Sequence, residues 1–447
     1  MSSWSPESWK ARPNAQPIHY DDGAALEDAV ARLRRLPPLV TSWEVLRLRA
    51  LIADAQRGER FLLQGGDCAE TFHDCAPDVI TSKLKILLQM SLVLVHGLKK
   101  PVLRVGRFAG QYAKPRSSAT ETRSDVELPS YRGDLVNRAV FDAEARKPNP
   151  VLLVEAYQHA ALTLNFVRAL VEGGFADFHH PEYWDLSFFE RADLGASLRA
   201  EYRNMSHKLA EAIRFAEALG EKPASDLTRM NFYTSHEGLN LPYESAQTRL
   251  VPRRSGYFDL STHLPWIGER TRELGGAHVE FFRGIENPVG IKLGPSATPD
   301  EVLRLLDVLD PKRTPGKIVL ITRLGADLVE AALPKLVAAV RERPVLWVCD
   351  PMHGNTVFAK GGLKTRDFDR ILLELERTID VHAASDSILG GVHFELTGED
   401  VTECVGGGVS EADLDRNYAS LCDPRLNYRQ ALEMAFRVAS KMSGTRP

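Results

Sequence analysis

Short apolar runs alternate with longer amphipathic stretches along most of this 447-residue chain. The runs at Phe61–Leu63, Pro101–Val105, Asn231–Tyr233, Val289–Leu293, Lys317–Ile321, Val345–Val348 and Gly391–Phe394 are mostly apolar without a strict alternation of polar positions. That is the pattern of parallel strands covered on both faces. Seven strands are therefore predicted, with a weaker eighth at Ala176–His179. Between them Leu84, Leu87, Leu88, Ser91, Leu92 and Val95 recur at helical spacing, as do Phe368, Ile371, Leu372 and Leu375. Thr298 and Pro299 predict a helix start, with Glu301 completing a capping box and Val302, Leu305, Leu306 and Leu309 facing the core. Thr41 and Glu44 stand in the same spacing ahead of Val45, Leu48, Leu51, Ile52 and Ala55.

Repeated strand–helix units suit two architectures, a closed (β/α)8 TIM barrel and a doubly wound open sheet. The strand ends favour the barrel. Gln64–Cys68, Arg107, Ser235–Glu237, Lys292, Arg323, Asp350–His353 and Glu395 are polar or ionisable, and a barrel gathers all of them at one mouth. The expected organisation is an α/β chain with an N-terminal arm and helices over residues 1–58 and a catalytic barrel over 59–447. A helical insertion is expected at about 183–227, with Met205, Leu209, Ile213 and Ala216 on one face.

Composition narrows the class. Hydrophobic residues make up 44% and charged residues 26%, a globular balance. A net charge of −4 argues against a dedicated nucleic-acid partner. No apolar run reaches the ~18 residues of a membrane span, and Leu84–Val95, broken by Gln89 and Ser91, reads as a buried helix. The polar start, without a signal-peptide core, and five scattered cysteines suggest a reducing, cytoplasmic setting.

Two constellations carry chemistry. Cys68, His353, Glu395 and Asp423 offer a thiolate, an imidazole and two carboxylates, a set suited to Mn, Co, Zn or Fe as divalent ions. Their separation means that only a barrel mouth could gather them. A lone cysteine after a strand is more often a small buried hydrophobe, and His393 competes with His353 or supports it from behind. The second set is cationic: Arg107, Lys114, Arg116, Arg270, Lys292 and Arg323, with Ser117 and Glu269 beside them. Any single arginine among these could be ordinary surface charge, but Lys292 lies inside an apolar strand. Cations crowded together repel unless an anion fills the space between them. No Walker loop, Gly-x-Gly-x-x-Gly or Gly-x-Ser-x-Gly motif follows a strand. The residues thus suggest an enzyme for acidic, phosphorylated small molecules with metal assistance.

Several motifs resemble the type II (plant-like) 3-deoxy-D-arabino-heptulosonate 7-phosphate synthases. They are Leu63-Gln64-Gly65-Gly66-Asp67-Cys68-Ala69-Glu70, Lys114-Pro115-Arg116-Ser117, Ser130-Tyr131-Arg132-Gly133-Asp134 and Trp266-Ile267-Gly268-Glu269-Arg270. To these are added Gly290-Ile291-Lys292-Leu293-Gly294-Pro295, Asp350-Pro351-Met352-His353-Gly354-Asn355-Thr356 and Thr397-Gly398-Glu399-Asp400-Val401-Thr402-Glu403-Cys404. The resemblance runs from about residue 40 to the C-terminus in family order.

It implies a metal-dependent (β/α)8 transferase condensing phosphoenolpyruvate with erythrose 4-phosphate, the first step of the shikimate route to aromatic amino acids. Carried over residue by residue, it implies metal ligation by Cys68, His353, Glu395 and Asp423. Phosphoenolpyruvate would meet Arg107, Lys114, Glu269, Arg270, Lys292 and Arg323, and the erythrose 4-phosphate phosphate would meet Arg116 and Ser117. Lys114 is the expected proton-transfer group, with Glu269 positioning water. Also implied are an aromatic amino-acid effector acting through the arm and insertion, a homodimer or homotetramer, and a possible chorismate mutase partner. An aminated-substrate relative of secondary metabolism and a regulatory partner of chorismate mutase remain open alternatives. Cys422, next to Asp423, leaves two readings open: oxidation onto Cys68 that expels the metal if both thiols project into one site, or two separate reduced thiols.

Overall fold

The structure, a computed structural model, describes residues 4–173, 200 and 232–444. Eight parallel strands close into a barrel: β1 Phe61–Gly66, β2 Val102–Arg107, β3 Phe232–Glu237, β4 Leu264–Ile267, β5 Val289–Leu293, β6 Ile318–Thr322, β7 Val345–Cys349 and β8 Leu389–Glu395. Each strand pairs with its neighbours in sequence, and β1 pairs with β8 to complete the ring. All seven apolar runs are strands of this barrel. The remaining strand is Leu264–Ile267, which is too short and too close to polar residues to stand out in the sequence. The stretch 176–179 and the insertion at 183–227 lie outside the described residues.

Helices α1 Gly23–Arg35 and α2 Ser42–Gln56 precede the barrel. The main helices wrapped around it are α3 Pro77–Leu98, α4 Val151–Glu172, α5 Leu241–Gln247, α6 Ala277–Phe282, α7 Pro299–Leu309, α8 Val329–Ala339, α9 Phe368–Ala384 and α10 Tyr428–Ser443. By length and composition α3 is apolar enough to cross a membrane, but 67% of its most apolar window is buried within the molecule. Thr298 accepts from the backbone N–H of Glu301 at the start of α7. Glu301 does not complete the expected capping box, because its carboxylate pairs with Arg272.

α2 explains how one end of the barrel is sealed. Thr41 and Glu44 form the full capping box, which fixes where the helix begins. Its Leu48, Ile52 and Ala55 then pack with Leu62, Leu103, Val105, Tyr233, Leu264, Val319, Ile321, Leu346 and Val348 from the barrel strands. The polar side of α2 is tied to the loops entering the strands. Arg49 donates to the Glu286 carbonyl at 3.3 Å, Gln56 donates to the Pro344 carbonyl at 2.8 Å, and Gln56 accepts from Gly316 N–H at 3.0 Å. Gly316 has φ +77°, and a Cβ there would sit 1.9 Å from the Arg49 carbonyl oxygen, so only glycine permits this approach. The plug sits at the N-terminal ends of the strands and leaves the C-terminal ends free for chemistry.

Truncation of the plug tests this arrangement. Ile52→Ala leaves a cavity in a fully enclosed apolar layer, so chemical denaturation should show a loss of about 2–5 kcal/mol. An unchanged midpoint would mean that α2 does not seal the barrel.

Candidate active site

Strand register brings distant residues to a common level at the mouth. Gly66 lies opposite both Arg107 and Glu395. Gly66 has φ +142°, and a Cβ there would meet the Arg107 carbonyl at 2.8 Å, so the chain turns tightly into the loop bearing Cys68. From β2 come Arg107 and the loop carrying Lys114, Arg116 and Ser117. Lys292 lies on β5, Arg323 follows β6, His353 follows β7, Glu395 ends β8 and Asp423 lies in the segment leading to α10.

Three of the four expected ligands converge, and the fourth, His353, stands against one of them. Single donor atoms of Cys68, Glu395 and Asp423 lie within 4.8 Å of one another. His353 Nε2 is 3.0 Å from Glu395 Oε1. His353 Nδ1 lies 2.7 Å from Asp350 Oδ2, a buried carboxylate that binds the ring proton on that nitrogen. Burial pulls the His353 pKa down, outweighing Asp350 and Glu395, which push it up. An imidazole nitrogen 3.0 Å from a carboxylate oxygen, with a thiol and a second carboxylate alongside, is a donor set that fits a borderline divalent cation. Lys114 Nζ also contacts the group, at 2.8 Å from Asp423 and 3.2 Å from Glu395, and against the Cys68 sulfur.

Above these groups opens a cavity of about 370 Å3. Arg107, Lys114, Arg116, Arg270, Lys292 and Arg323 all line it, with Ser117, Glu269, His353 and Asp423. Cys68 and Glu395 lie beneath its floor, both buried. The cations are held apart by dedicated partners. Arg107 donates to Glu395 at 3.0 Å and to the Cys68 carbonyl at 3.2 Å. Lys292 pairs with Asp350, and Arg323 donates to the His353 carbonyl at 2.8 Å. Arg107 and Lys292 both sit over the buried Trp266 ring, at 5.3 and 5.7 Å from its centroid, where the indole face tolerates two cations.

Electrostatics sort these groups. Burial pulls Lys292 down to about 8, with Arg107 acting in the same direction and Asp350 opposing. For Glu395 burial opposes ionisation, but His353, Lys114, Arg366 and Arg107 together hold it well below the carboxylate range. Asp423 is likewise held low, chiefly by Lys114 against the effect of burial. Burial, Cys422 and Glu395 raise the Cys68 thiol. Cys68 and Cys422 are both free and pack in one small cluster with Tyr131.

His393 takes neither ligand position. Its Nε2 lies 2.7 Å from Arg107 Nη1, and because the guanidinium can only donate, this nitrogen must accept. Glu269 is heavily engaged, accepting from Gly294 N–H at 2.6 Å, Ser296 Oγ at 3.0 Å and Arg272 at 3.1–3.2 Å.

Some contributors are given no role from the sequence, although Glu237 is among the strand-end residues expected at the mouth. Glu237 at the end of β3 lines the cavity, its Oε1 accepts no hydrogen bond among the described residues, and burial pushes its carboxyl upward against Lys114 and Lys292. Its strand-end position was the available signal. Arg366 donates to Glu395 Oε2 at 2.7 Å, and Lys364 donates to Asp423 Oδ1 at 3.0 Å. Both come from the hairpin Thr356–Phe358/Lys364–Arg366, which has no strong apolar pattern to announce it. Glu70 accepts from Ala109, Gly110 and Gln111 N–H at 2.9–3.0 Å and holds the loop after β2, with Ala109 at φ 60°.

Comparison with known proteins agrees with this geometry. The model of the class-II DAHP synthetase family matches residues 4–439. A Neurospora crassa protein named phospho-2-dehydro-3-deoxyheptonate aldolase is 47% identical over 456 residues, covering 98% of this chain and 94% of its own length. A Streptomyces coelicolor protein of the same name is 47% identical over 436 residues, covering 97% of this chain and 96% of its own. A barrel of this register, a mouth of this chemistry and similarity along nearly the whole length lead to one conclusion: the chain belongs to the class-II DAHP synthetase family.

Proposed function

We propose that this chain condenses phosphoenolpyruvate with D-erythrose 4-phosphate to 3-deoxy-D-arabino-heptulosonate 7-phosphate and phosphate, opening the shikimate route with the help of one divalent ion. The observation that carries this reading is the cluster of Cys68, Glu395 and Asp423, with His353 against Glu395, at the floor of a cavity lined by six cations. A simple hydrolytic site would not require so much positive charge, whereas two phosphorylated anions held side by side do.

Cys68, His353, Glu395 and Asp423 would hold the ion, with Mn2+ or Co2+ suited to this mixed donor set and Zn2+ or Fe2+ compatible with it. Once bound, it would supply Lewis acidity at the aldehyde oxygen of erythrose 4-phosphate. Arg107, Arg270, Lys292 and Arg323 take the carboxylate and phosphate of phosphoenolpyruvate, and Arg116 with Ser117 takes the phosphate of the sugar. These contacts align the nucleophilic methylene carbon with the aldehyde and offset the repulsion between the two anions. As the carbon–carbon bond forms, Lys114 passes a proton to the aldehyde oxygen. Water then adds to the carbon bearing the phosphate, and the resulting hemiketal phosphate expels inorganic phosphate. Glu269, expected from the sequence to position this water, is instead engaged with Gly294, Ser296 and Arg272, and in this proposal Glu237, whose Oε1 accepts no hydrogen bond among the described residues, takes that role.

Three outcomes test the proposal. Chelation should abolish phosphoenolpyruvate consumption in the presence of erythrose 4-phosphate, and Mn2+ or Co2+ should restore it. His353→Ala should not recover at the ion concentration sufficient for the parent, and activity that survives chelation would contradict the ion's role. Losing a charged hydrogen bond costs about 1.5–3 kcal/mol. Steady-state kinetics of Arg270→Ala should therefore show KM for phosphoenolpyruvate rising about ten- to a hundred-fold, while Arg116→Ala should instead raise KM for erythrose 4-phosphate. Equal effects of both variants on both substrates would contradict the division of the cavity. Finally, Lys292 is cationic below about 8 and neutral above it. As pH rises through that value, kcat/KM for phosphoenolpyruvate should fall, and Lys292→Arg should move the fall to higher pH. A profile unaffected by that substitution would remove Lys292 from the clamp.

A further inference from the structure

Cys68 and Asp423 stand 355 residues apart in sequence, yet the Asp423 N–H reaches the Cys68 sulfur at 3.2 Å. Each lies on a loop, and loops alone do not hold ligands to the tolerance an ion requires. Behind the pair lies a set of charged residues that has no part in the chemistry described above. The Arg425 guanidinium donates from Nη1 to Asp67 Oδ1 at 2.7 Å. The same side chain donates from Nη2 to Glu403 Oε1 at 2.7 Å and from Nε to Glu403 Oε2 at 3.1 Å. Glu403 also accepts the Arg425 backbone N–H at 2.7 Å and the Ala419 N–H at 3.3 Å, so it grips the segment on both sides of Asp423. Asp67, directly before Cys68, is paired on its other oxygen with Lys83 of α3. Asp67 and Glu403 are completely buried, and Lys83 nearly so.

We propose that Arg425 is a positioning residue: with Asp67 and Glu403 it locks the loop bearing Cys68 to the loop bearing Asp423. The inference rests on the ion-binding reading above and names what makes that site rigid. Asp67 and Glu403 are answered within the network by Arg425 and Lys83, the latter also pairing with Asp74 at 3.4 Å, so it needs no substrate to complete it. A planar five-donor fork can serve two carboxylates at once and fix their separation, which the point charge of a lysine cannot do. Asp67 and Glu403 belong to two separate sequence motifs, Leu63–Glu70 and Thr397–Cys404, and Arg425 lies two residues after the expected ligand Asp423. Their meeting here gives a physical reason for charges in those motifs that touch neither cavity nor ligand position.

The alternative is a network that only adds stability. Lys317 supplies the control: it is buried at the opposite end of the barrel, donating to the Ile285 and Asn287 carbonyls, and Lys317→Met removes these bonds without touching the mouth. The experiment titrates Co2+ into metal-free enzyme, following the thiolate-to-cobalt absorption band, with thermal unfolding of each variant alongside. Residues supporting metal ligands from behind typically contribute ten- to a hundred-fold in affinity. Arg425→Lys and Glu403→Gln are each expected to weaken cobalt binding by about that factor, with kcat at saturating cobalt changed far less. Lys317→Met is expected to lower the melting temperature while binding cobalt as the parent does. If Arg425→Lys fails to fold, Glu403→Gln carries the same comparison. Parent-like cobalt affinity in the folded variants overturns the inference and leaves the ion-binding reading intact, as does a loss of affinity that Lys317→Met reproduces in proportion to its melting temperature. A parent enzyme that shows no cobalt band overturns the ion-binding reading, and the inference with it.

Discussion

The Glu395 carboxylate is the point on which the mouth of this barrel depends. It is fully buried, and an ionised carboxylate taken out of water costs several kcal/mol unless charges and hydrogen bonds replace the lost solvent. Arg107 and Lys114 reach one oxygen and Arg366 the other, while His353 approaches from the side. These four residues come from the end of β2, the loop after it, the hairpin following β7 and the turn just before that hairpin. Satisfying one acidic group therefore draws the loops after β2 and β7 onto the end of β8. The arrangement that keeps this carboxylate ionised is the same one that assembles a candidate ion site and sets its neighbours facing a cavity.

The two ends of the barrel divide the work. At the N-terminal ends of the strands α2 closes the interior with apolar side chains and a few hydrogen bonds to backbone carbonyls. That end has little charge to satisfy and contributes stability through burial. At the C-terminal ends charge is concentrated, and the buried cations Arg107, Lys292 and Lys114 each have a carboxylate partner. Arg270 makes no ion pair among the described residues and is exposed at the rim, which leaves its guanidinium available to an incoming anion.

Much of this was legible in the sequence because strands buried on both faces cannot disguise their apolar character. Seven runs gave seven strands, and the polar residues at their ends marked the mouth. Leu264–Ile267 was missed because four residues containing a proline offer no periodicity. The approach of Cys68, Glu395 and His353 to one mouth follows from their places at or after strand ends, where parallel register collects such groups, whereas Asp423 reaches it from the segment before α10. Less accessible were the side chains that serve those groups. Arg366 and Lys364 sit on a short hairpin with weak patterning, and Glu301 turned to Arg272 because a buried guanidinium outcompeted its own helix N-terminus. Arg425 and Glu403 meet only through tertiary packing, which no local spacing encodes.

The central claim is that sulfur, imidazole and two carboxylates from distant segments grip a single ion at the floor of the cavity. X-ray absorption spectroscopy of the cobalt-loaded protein addresses it most directly. The account predicts one sulfur scatterer at about 2.3 Å beside nitrogen and oxygen neighbours, and its disappearance in Cys68→Ser. A shell containing only nitrogen and oxygen in the parent protein, or a sulfur signal unchanged by that substitution, would contradict it.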